Sequence, residues 1–278
     1  MPETASRGSS TSNPLPCNES SPARPAESAA FAVAGEPPAP GTGPHPRTVR
    51  PAALPHRVHS RIGVGLAGGF YPAPHRYELY LSAGCPRSLR ISITLDLLGL
   101  RDSVATTILT HPAETSDAFA SLRRAYEATV HHYDGPVTAP ALCDRWSGRI
   151  VSNHTPDILR DLTGLLAGAS AACLPTLRPA ALAQDIDALR DLVDRHLTAS
   201  APAADRSAAL ELLDRQLACG PYLLGDRLTA ADVDAWVALT RLVPAEALCA
   251  RPRLREYVHR LGEHPAFRGA DAGTRAAA

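Results

Sequence analysis

The chain has 278 residues, a length sufficient for one large domain or two smaller ones. Its residues are 45% hydrophobic, as in an ordinary globular protein, and its formal net charge is zero. All of its basic residues are arginine, but they form no basic stripe with interleaved aromatic residues, so nucleic acid is disfavoured as a partner. No window approaches the roughly 18 apolar residues of a membrane span, and no signal peptide is recognisable, which disfavours export and a membrane partner.

The first part of the chain is rich in Pro, Ala, Ser and Gly and lacks hydrophobic periodicity. We therefore predict that residues 1–69 form a disordered leader, because they cannot bury enough apolar surface to offset the entropy of ordering. The six cysteines are scattered, without CxxC pairs or zinc-finger spacing. Such cysteines indicate free thiols in a reducing compartment, and the predicted location is the cytoplasm.

The pattern of a folded domain begins at Tyr77, where apolar and polar side chains alternate as in a half-buried strand that runs into Cys85. Residues 89–100 fit both a strand and a helical stripe, and a proline before them and a glycine near their end favour the helix. A second strand at 103–109 completes a βαβ unit, which requires parallel pairing of its strands.

A hairpin is predicted after a short helix at 121–130. Its first strand is the β-rich run 137–143, and a tight turn at 144–148 leads into the second strand. Proline is normally excluded from the centre of a sheet unless its peptide bond is cis at a strand start or edge. We therefore predict a cis Ala139–Pro140 bond and a mixed sheet.

The residue pattern of the rest of the chain predicts helices. A helix at 155–166 precedes a Gly/Ala/Pro-rich joint, and further helices are predicted at about 180–198, 205–219, 229–243 and 252–262. Thr229 and Asp232 have the spacing of a capping box, which gives Asp232 a structural role. The order predicts two domains, one built on a sheet and one of helices.

Cys85 is the strongest candidate for a catalytic residue. Pro86 after it favours the first position of a helix, so the thiol would lie at a helix N-terminus, where the dipole and unpaired N–H groups favour the thiolate. Ser88 stands where a dithiol motif has its second cysteine, so the predicted chemistry is monothiol exchange or transfer resolved by an outside thiol. The alternative is that Cys85 is a small buried hydrophobe.

Histidines occur in two sequence pairs, His131 with His132 and His56 with His59. Neither pair has further ligands at a suitable spacing, so no metal site is predicted.

Four ordered segments resemble the glutathionyl-hydroquinone reductases, the xi class of glutathione transferases, over about residues 70–265. The segments are Arg76-Tyr77-x-Leu79-Tyr80-x-Ser82-x-x-Cys85-Pro86-x-x-x-Arg90, Val137-Thr-x-Pro140-x-Leu142-x-Asp144, Ile150-Val-Ser-Asn153 and Tyr222-Leu-Leu-Gly-Asp226-x-Leu-Thr229-x-Ala-Asp232. The resemblance implies an α/β plus all-α fold: a thioredoxin-like domain at 70–168 with a mixed sheet, then an all-helical glutathione-transferase domain at 175–270.

The resemblance also implies an enzyme, an oxidoreductase or transferase whose Cys85 attacks the sulfur of a glutathionyl-hydroquinone or another small-molecule thiol conjugate. A mixed disulfide forms and a second thiol resolves it, so a low-molecular-weight thiol is the implied co-substrate. Members of the family commonly form homodimers, although no helix pattern here marks an interface. The implied thiol-binding residues are Arg87, Ala139, Pro140, His154 and Thr155.

Several ligand positions depart from the family pattern. Arg87 replaces an aromatic residue, and His154 and Thr155 replace the Glu-Ser pair that grips the γ-glutamyl group, although Thr155 as a helix N-cap could still bind an anionic group. Segments 196–202 and 243–249 lack the active-site tyrosines of the family. These changes are compatible with a mycothiol-type thiol in place of glutathione, and they also support an alternative function as a non-catalytic binding or interaction module.

Overall fold

A computed structural model of the chain describes residues 57–63, 69–110, 116–166 and 176–269. The side chain of residue 165 is not included in this description. Residues 1–56 of the predicted leader and 167–175 around the predicted domain junction lie outside this part. No helix within the described ranges is long and apolar enough to cross a membrane.

A four-stranded mixed sheet forms the first half of the fold, in the order β2-β1-β3-β4. β1 pairs in parallel with β2 and antiparallel with β3, and β3 is antiparallel to β4, as the βαβ unit followed by a hairpin predicts. The Ala139–Pro140 bond just before β3 is cis, which confirms that prediction. The elements are β1 (Tyr77–Ser82), α1 (Pro86–Leu97), β2 (Ala105–Leu109), α2 (Asp117–Thr129), β3 (Ala141–Asp144) and β4 (Arg149–Ser152).

Helices make up the second half, and the predicted fold class is confirmed. The helices are α3 (Thr155–Asp161), continued by a π-helical turn at Leu162–Leu166, α4 (Ala183–His196), α5 (Ala203–Gln216), α6 (Ala230–Arg241), α7 (Ala245–Cys249) and α8 (Pro252–Glu263). The one-turn helix α7, which begins after Pro244, was not predicted. The capping box at the start of α6 is confirmed, because the Asp232 carboxylate accepts from the Thr229 N–H at 2.8 Å.

The sheet separates two hydrophobic clusters because successive strand residues point to opposite faces. Leu79, Leu142 and Val151 join the large cluster that also contains α1 and the helices of the second half. Tyr80 and Cys143 face the smaller cluster beneath α2. α1 therefore lies between the sheet and the helical half, with α6 packed against it.

Residues 57–63, which the composition assigns to the leader, pack onto the folded core. Val58 and Ile62 are buried, and a bridge between His59 and Ser152 extends the sheet beyond β4. The Arg61 guanidinium also pairs with the buried Asp161 carboxylate at 2.6 Å. These contacts join residues about a hundred positions apart in sequence, so local composition could not predict them.

Ion pairs of buried arginine side chains connect α1 to the helical half. The Arg90 guanidinium of α1 lies 2.7 Å from Asp194 on α4 and 3.6 Å from Asp234 on α6, and Arg190 of α4 binds Asp234 at 2.7 Å. Arg90, Arg190 and Asp234 have side chains only 6%, 5% and 1% exposed. Arg90 is therefore a buried residue of α1 and not a solvent-exposed one. Its charge is compensated inside the protein, and it holds α1 in place.

A second buried pair joins the start of β1 to the end of β3. Arg76 donates two hydrogen bonds to Asp144, at 2.7 and 2.9 Å, and its guanidinium carbon lies 4.3 Å from the ring centroid of Tyr71 and 4.7 Å from that of Trp146. Burial opposes ionisation of Asp144, but hydrogen bonds from Arg76, from Ser147 and from the Trp146 N–H hold the pKa of this carboxyl below its ordinary value.

We expect Asp234→Asn to destabilise the fold by about 3 kcal/mol, because two buried guanidinium groups lose their shared negative charge. Urea unfolding followed by circular dichroism measures the change. Glu211→Gln is the matched control, since its pair with Arg215 is 65% and 66% exposed and its loss should cost less than about 1 kcal/mol. Equal effects of the two substitutions would contradict this role of Asp234.

We expect Asp144→Asn to cost about 3 kcal/mol at pH 7, against less than about 1 kcal/mol for Asp96→Asn in the more exposed pair with Arg101. The stability from an aspartate with a lowered pKa is fully present above its unfolded pKa of about 3.9 and is lost as the pH falls through the folded value. The difference between wild type and Asp144→Asn should therefore shrink below about pH 4. A pH-independent difference in unfolding free energy would contradict this account.

Candidate active site

Cys85 lies at the junction of β1 and α1, where the Cys-Pro order predicts it. It is the N-cap of α1, with extended backbone angles of φ −77° and ψ 121°, and Pro86 is the first helical residue. The side chain is half-buried, and the thiol is free. This is the end of the helix at which unpaired N–H groups and the dipole stabilise an anion.

Ser88, at the position of the second cysteine in a dithiol motif, has a structural role. Its buried hydroxyl accepts a hydrogen bond from the Ser82 N–H at 3.0 Å, which ties the first turn of α1 to the end of β1. The turn that carries Cys85 is thereby held against the sheet without a second thiol.

The six site residues predicted from sequence line one cavity of about 570 Å³. They are Cys85, Arg87, Ala139, Pro140, His154 and Thr155. Three separate elements bring them together: the start of α1, the cis peptide before β3 and the start of α3. Thr155, expected as the N-cap of its helix, is instead its first residue, and His154 is the N-cap.

The helical half closes the cavity from the other side. Arg190, Asp194 and Thr198 from α4 and the segment after it contribute to the wall, and so does Leu242 at the end of α6. Thr198 and Leu242 lie in or next to the two segments in which the family resemblance implies tyrosines. Thr198 and Leu242 thus contribute a hydroxyl group and an aliphatic side chain to this wall.

The rim of the cavity is basic. Arg57 and Arg87 are exposed, and neither forms an ion pair with another residue in the described part of the chain. Arg90 and Arg190 also line the cavity, but their charges are compensated by the carboxylates of Asp194 and Asp234. The uncompensated charge thus lies at the entrance, where it favours an anionic ligand.

The wall residues Arg57, Arg190 and Asp194 were not predicted from the sequence. Arg57 lies in the part assigned to the leader, and no site was assigned to the predicted helix that contains the other two. One signal was available, since Asp234 interrupts the apolar run of α6 and a buried carboxylate needs a cationic partner. The sequence does not tell which arginine supplies that charge.

A neighbouring cluster combines the start of α3 with residues 57–63. The Nδ1 atoms of His59 and His154 lie 2.9 and 3.0 Å from Oδ2 of Asp157. Burial opposes ionisation of Asp157, but its contacts with the two histidines lower the pKa of its carboxyl.

Comparison with known proteins gives the same assignment in both halves of the chain. Residues 203–260 match the family described as glutathione S-transferase, C-terminal domain. Glutathionyl-hydroquinone reductase YqjG of Escherichia coli is 29% identical over 234 residues, which cover 70% of this chain and 69% of that protein. Glutathionyl-hydroquinone reductase PcpF of Sphingobium chlorophenolicum is 28% identical over 215 residues, which cover 66% of this chain and 68% of that protein.

A solved structure extends the likeness to the fold. The glutathione-bound structure of YqjG from Escherichia coli superposes with a TM-score of 0.62 at 24% identity, covering 75% of this chain and 80% of that one. The resemblance predicted from the sequence is therefore confirmed: the chain has the glutathione-transferase fold and is similar in sequence to the glutathionyl-hydroquinone reductases.

Proposed function

We propose that the chain is a cysteine-dependent reductase or transferase that removes or exchanges a low-molecular-weight thiol on a conjugate, with Cys85 as the nucleophile. The observation that carries the proposal is the position of Cys85 at the N-terminus of α1, in the wall of a 570 Å³ cavity lined by both halves of the chain. The names of the two similar proteins, both glutathionyl-hydroquinone reductases, support the same class of reaction on a glutathionyl conjugate.

The reaction begins with attack of the Cys85 thiolate on the sulfur of a thioether conjugate such as a glutathionyl-hydroquinone. A disulfide bond forms as the carbon–sulfur bond breaks, and the electron pair passes to the ring carbon, which takes up a proton and leaves as the quinol. A second thiol then attacks the mixed disulfide and restores Cys85. The released disulfide contains the sulfur of the conjugate and that of the second thiol, so the two-electron balance closes.

The start of α1 supports both steps. The helix dipole and its free N–H groups stabilise the thiolate before attack and again when Cys85 leaves the mixed disulfide. Ser88 holds this turn against β1, so the thiolate keeps its place at the helix end. Because Ser88 cannot act as a resolving thiol, the second thiol comes from a small molecule.

The thiol ligand is proposed to bind along Ala139, Pro140 and Thr155, beside Cys85. Exposed positive charge on Arg57 and Arg87 at the rim favours a thiol that carries carboxylates, and glutathione carries two. The residues that replace the γ-glutamyl clamp offer no carboxylate at that position to pair with an ammonium group. A mycothiol-type thiol, which has no γ-glutamyl group, is therefore the second candidate.

Intact-mass spectrometry after incubation with disulfides and quinol conjugates of glutathione and of mycothiol tests the proposal. We expect a mixed-disulfide adduct on the wild type and none on Cys85→Ser, with the added mass identifying the thiol. Cys219→Ser is the matched control, since Cys219 is an exposed free cysteine that does not line the cavity and its replacement should leave the adduct intact.

Either of two outcomes would contradict the proposal. An adduct that persists in Cys85→Ser would assign the reaction to another cysteine. The absence of any adduct on folded wild-type protein would favour a non-catalytic binding module that keeps the fold.

A further inference from the structure

The most distinctive group outside the thiol chemistry is the cluster of His59, His154 and Asp157. The candidate ligand atoms of the three residues all lie within 4.8 Å of one another. His59 comes from the segment that extends the sheet, 98 residues before Asp157, and reaches the start of α3 through the bridge to Ser152. Sequence spacing hides this set, which explains why no metal site was predicted.

The distances in the cluster suit a bound ion. Nδ1 of His59 is 2.9 Å and Nδ1 of His154 is 3.0 Å from the same carboxylate oxygen, Oδ2 of Asp157. Ligand atoms about 2.0–2.1 Å from one ion at tetrahedral or octahedral angles lie roughly 2.9–3.4 Å apart. The two imidazole rings lie with centroids 4.5 Å apart, so both nitrogens approach the carboxylate without overlap of the rings.

Hydrogen bonding alone does not account for the arrangement. His59 makes a hydrogen bond to Asp157, but the buried Nδ1 of His154 has no hydrogen-bond partner in the described part of the chain, despite its 3.0 Å distance from the carboxylate. A buried polar atom without a partner is costly, and a cation shared by the three ligand atoms would satisfy it.

The nearby positive charges are largely engaged elsewhere. Arg61 binds Asp161, and Arg160 approaches the other oxygen of Asp157 only at 3.7 Å while it also pairs with Asp187. The cluster therefore offers one carboxylate and two imidazole nitrogens as ligands.

We propose that His59, His154 and Asp157 bind a divalent first-row transition-metal ion such as Zn²⁺ at the wall of the cleft. Two imidazoles and one carboxylate are typical ligands of such ions, and three protein ligands leave coordination positions for water or an incoming ligand. Because His154 also lines the cavity, the ion would sit beside the thiol site. The metal site does not depend on the proposed reductase or transferase activity.

Calorimetric titration of Zn²⁺ into the full chain tests the proposal. We expect saturable binding of one ion per chain, and affinity at least about tenfold lower in His59→Ala and in Asp157→Asn. His131→Ala/His132→Ala is the matched control: these exposed histidines lie with ring centroids 3.9 Å apart but belong to no such cluster, so affinity should not change. Cys85→Ser should also bind normally, which separates this site from thiol ligation.

A further variant tests metal binding even if His59→Ala or Asp157→Asn does not fold. His154→Ala removes a nitrogen that makes no hydrogen bond within the described residues, so its circular dichroism should match the wild type while its Zn²⁺ affinity falls. Zn²⁺ should raise the melting temperature of the wild type but not of His154→Ala. Absence of saturable Zn²⁺ binding, or equal affinity in wild type and His154→Ala, would overturn the proposal.

Discussion

The ion-pair cluster between the two halves of the chain is the constraint on which the site depends. Arg90, Arg190 and Asp234 give up hydration, and that cost is offset only when their charges are held in contact. The pairs therefore tolerate little relative movement of α1, α4 and α6. A hydrophobic contact alone would allow α1 to slide against its neighbours, because apolar burial has no direction.

The position of α1 determines what its N-terminus can do. Arg90 lies little more than one helical turn beyond Cys85, so the cluster that anchors the helix also fixes the thiol in the cavity wall. The remaining wall comes from irregular backbone, the cis Ala139–Pro140 peptide and the turn before α3. The helical half supplies the opposite wall through Arg190, Asp194, Thr198 and Leu242.

The sequence predicted the parts of the fold that depend on local patterns. Alternation in β1, the Cys85-Pro86 order, the proline in the run before β3 and the capping box of Asp232 each have a local physical cause, and the structure contains all four features. β1 is not half-buried as predicted, however, because α2 covers its second face and buries Tyr80 there. Prediction from the sequence failed for contacts between residues that are far apart along the chain. His59 was assigned to the leader, and nothing near it in sequence indicates that Asp157 lies 2.9 Å away. The partners of Asp234 were hidden for the same reason.

Relative alkylation rates of the cysteines within one molecule test whether the N-terminus of α1 activates Cys85. Limiting iodoacetamide at neutral pH, followed by peptide mass spectrometry, compares half-buried Cys85 with exposed Cys219 and Cys249. Burial raises the pKa of the Cys143 thiol, so that residue should stay unmodified. If the helix N-terminus activates Cys85, we expect this residue to react fastest despite its lower exposure and to lose this advantage in denaturant. A Cys85 that reacts no faster than Cys219 in the folded protein would contradict this activation.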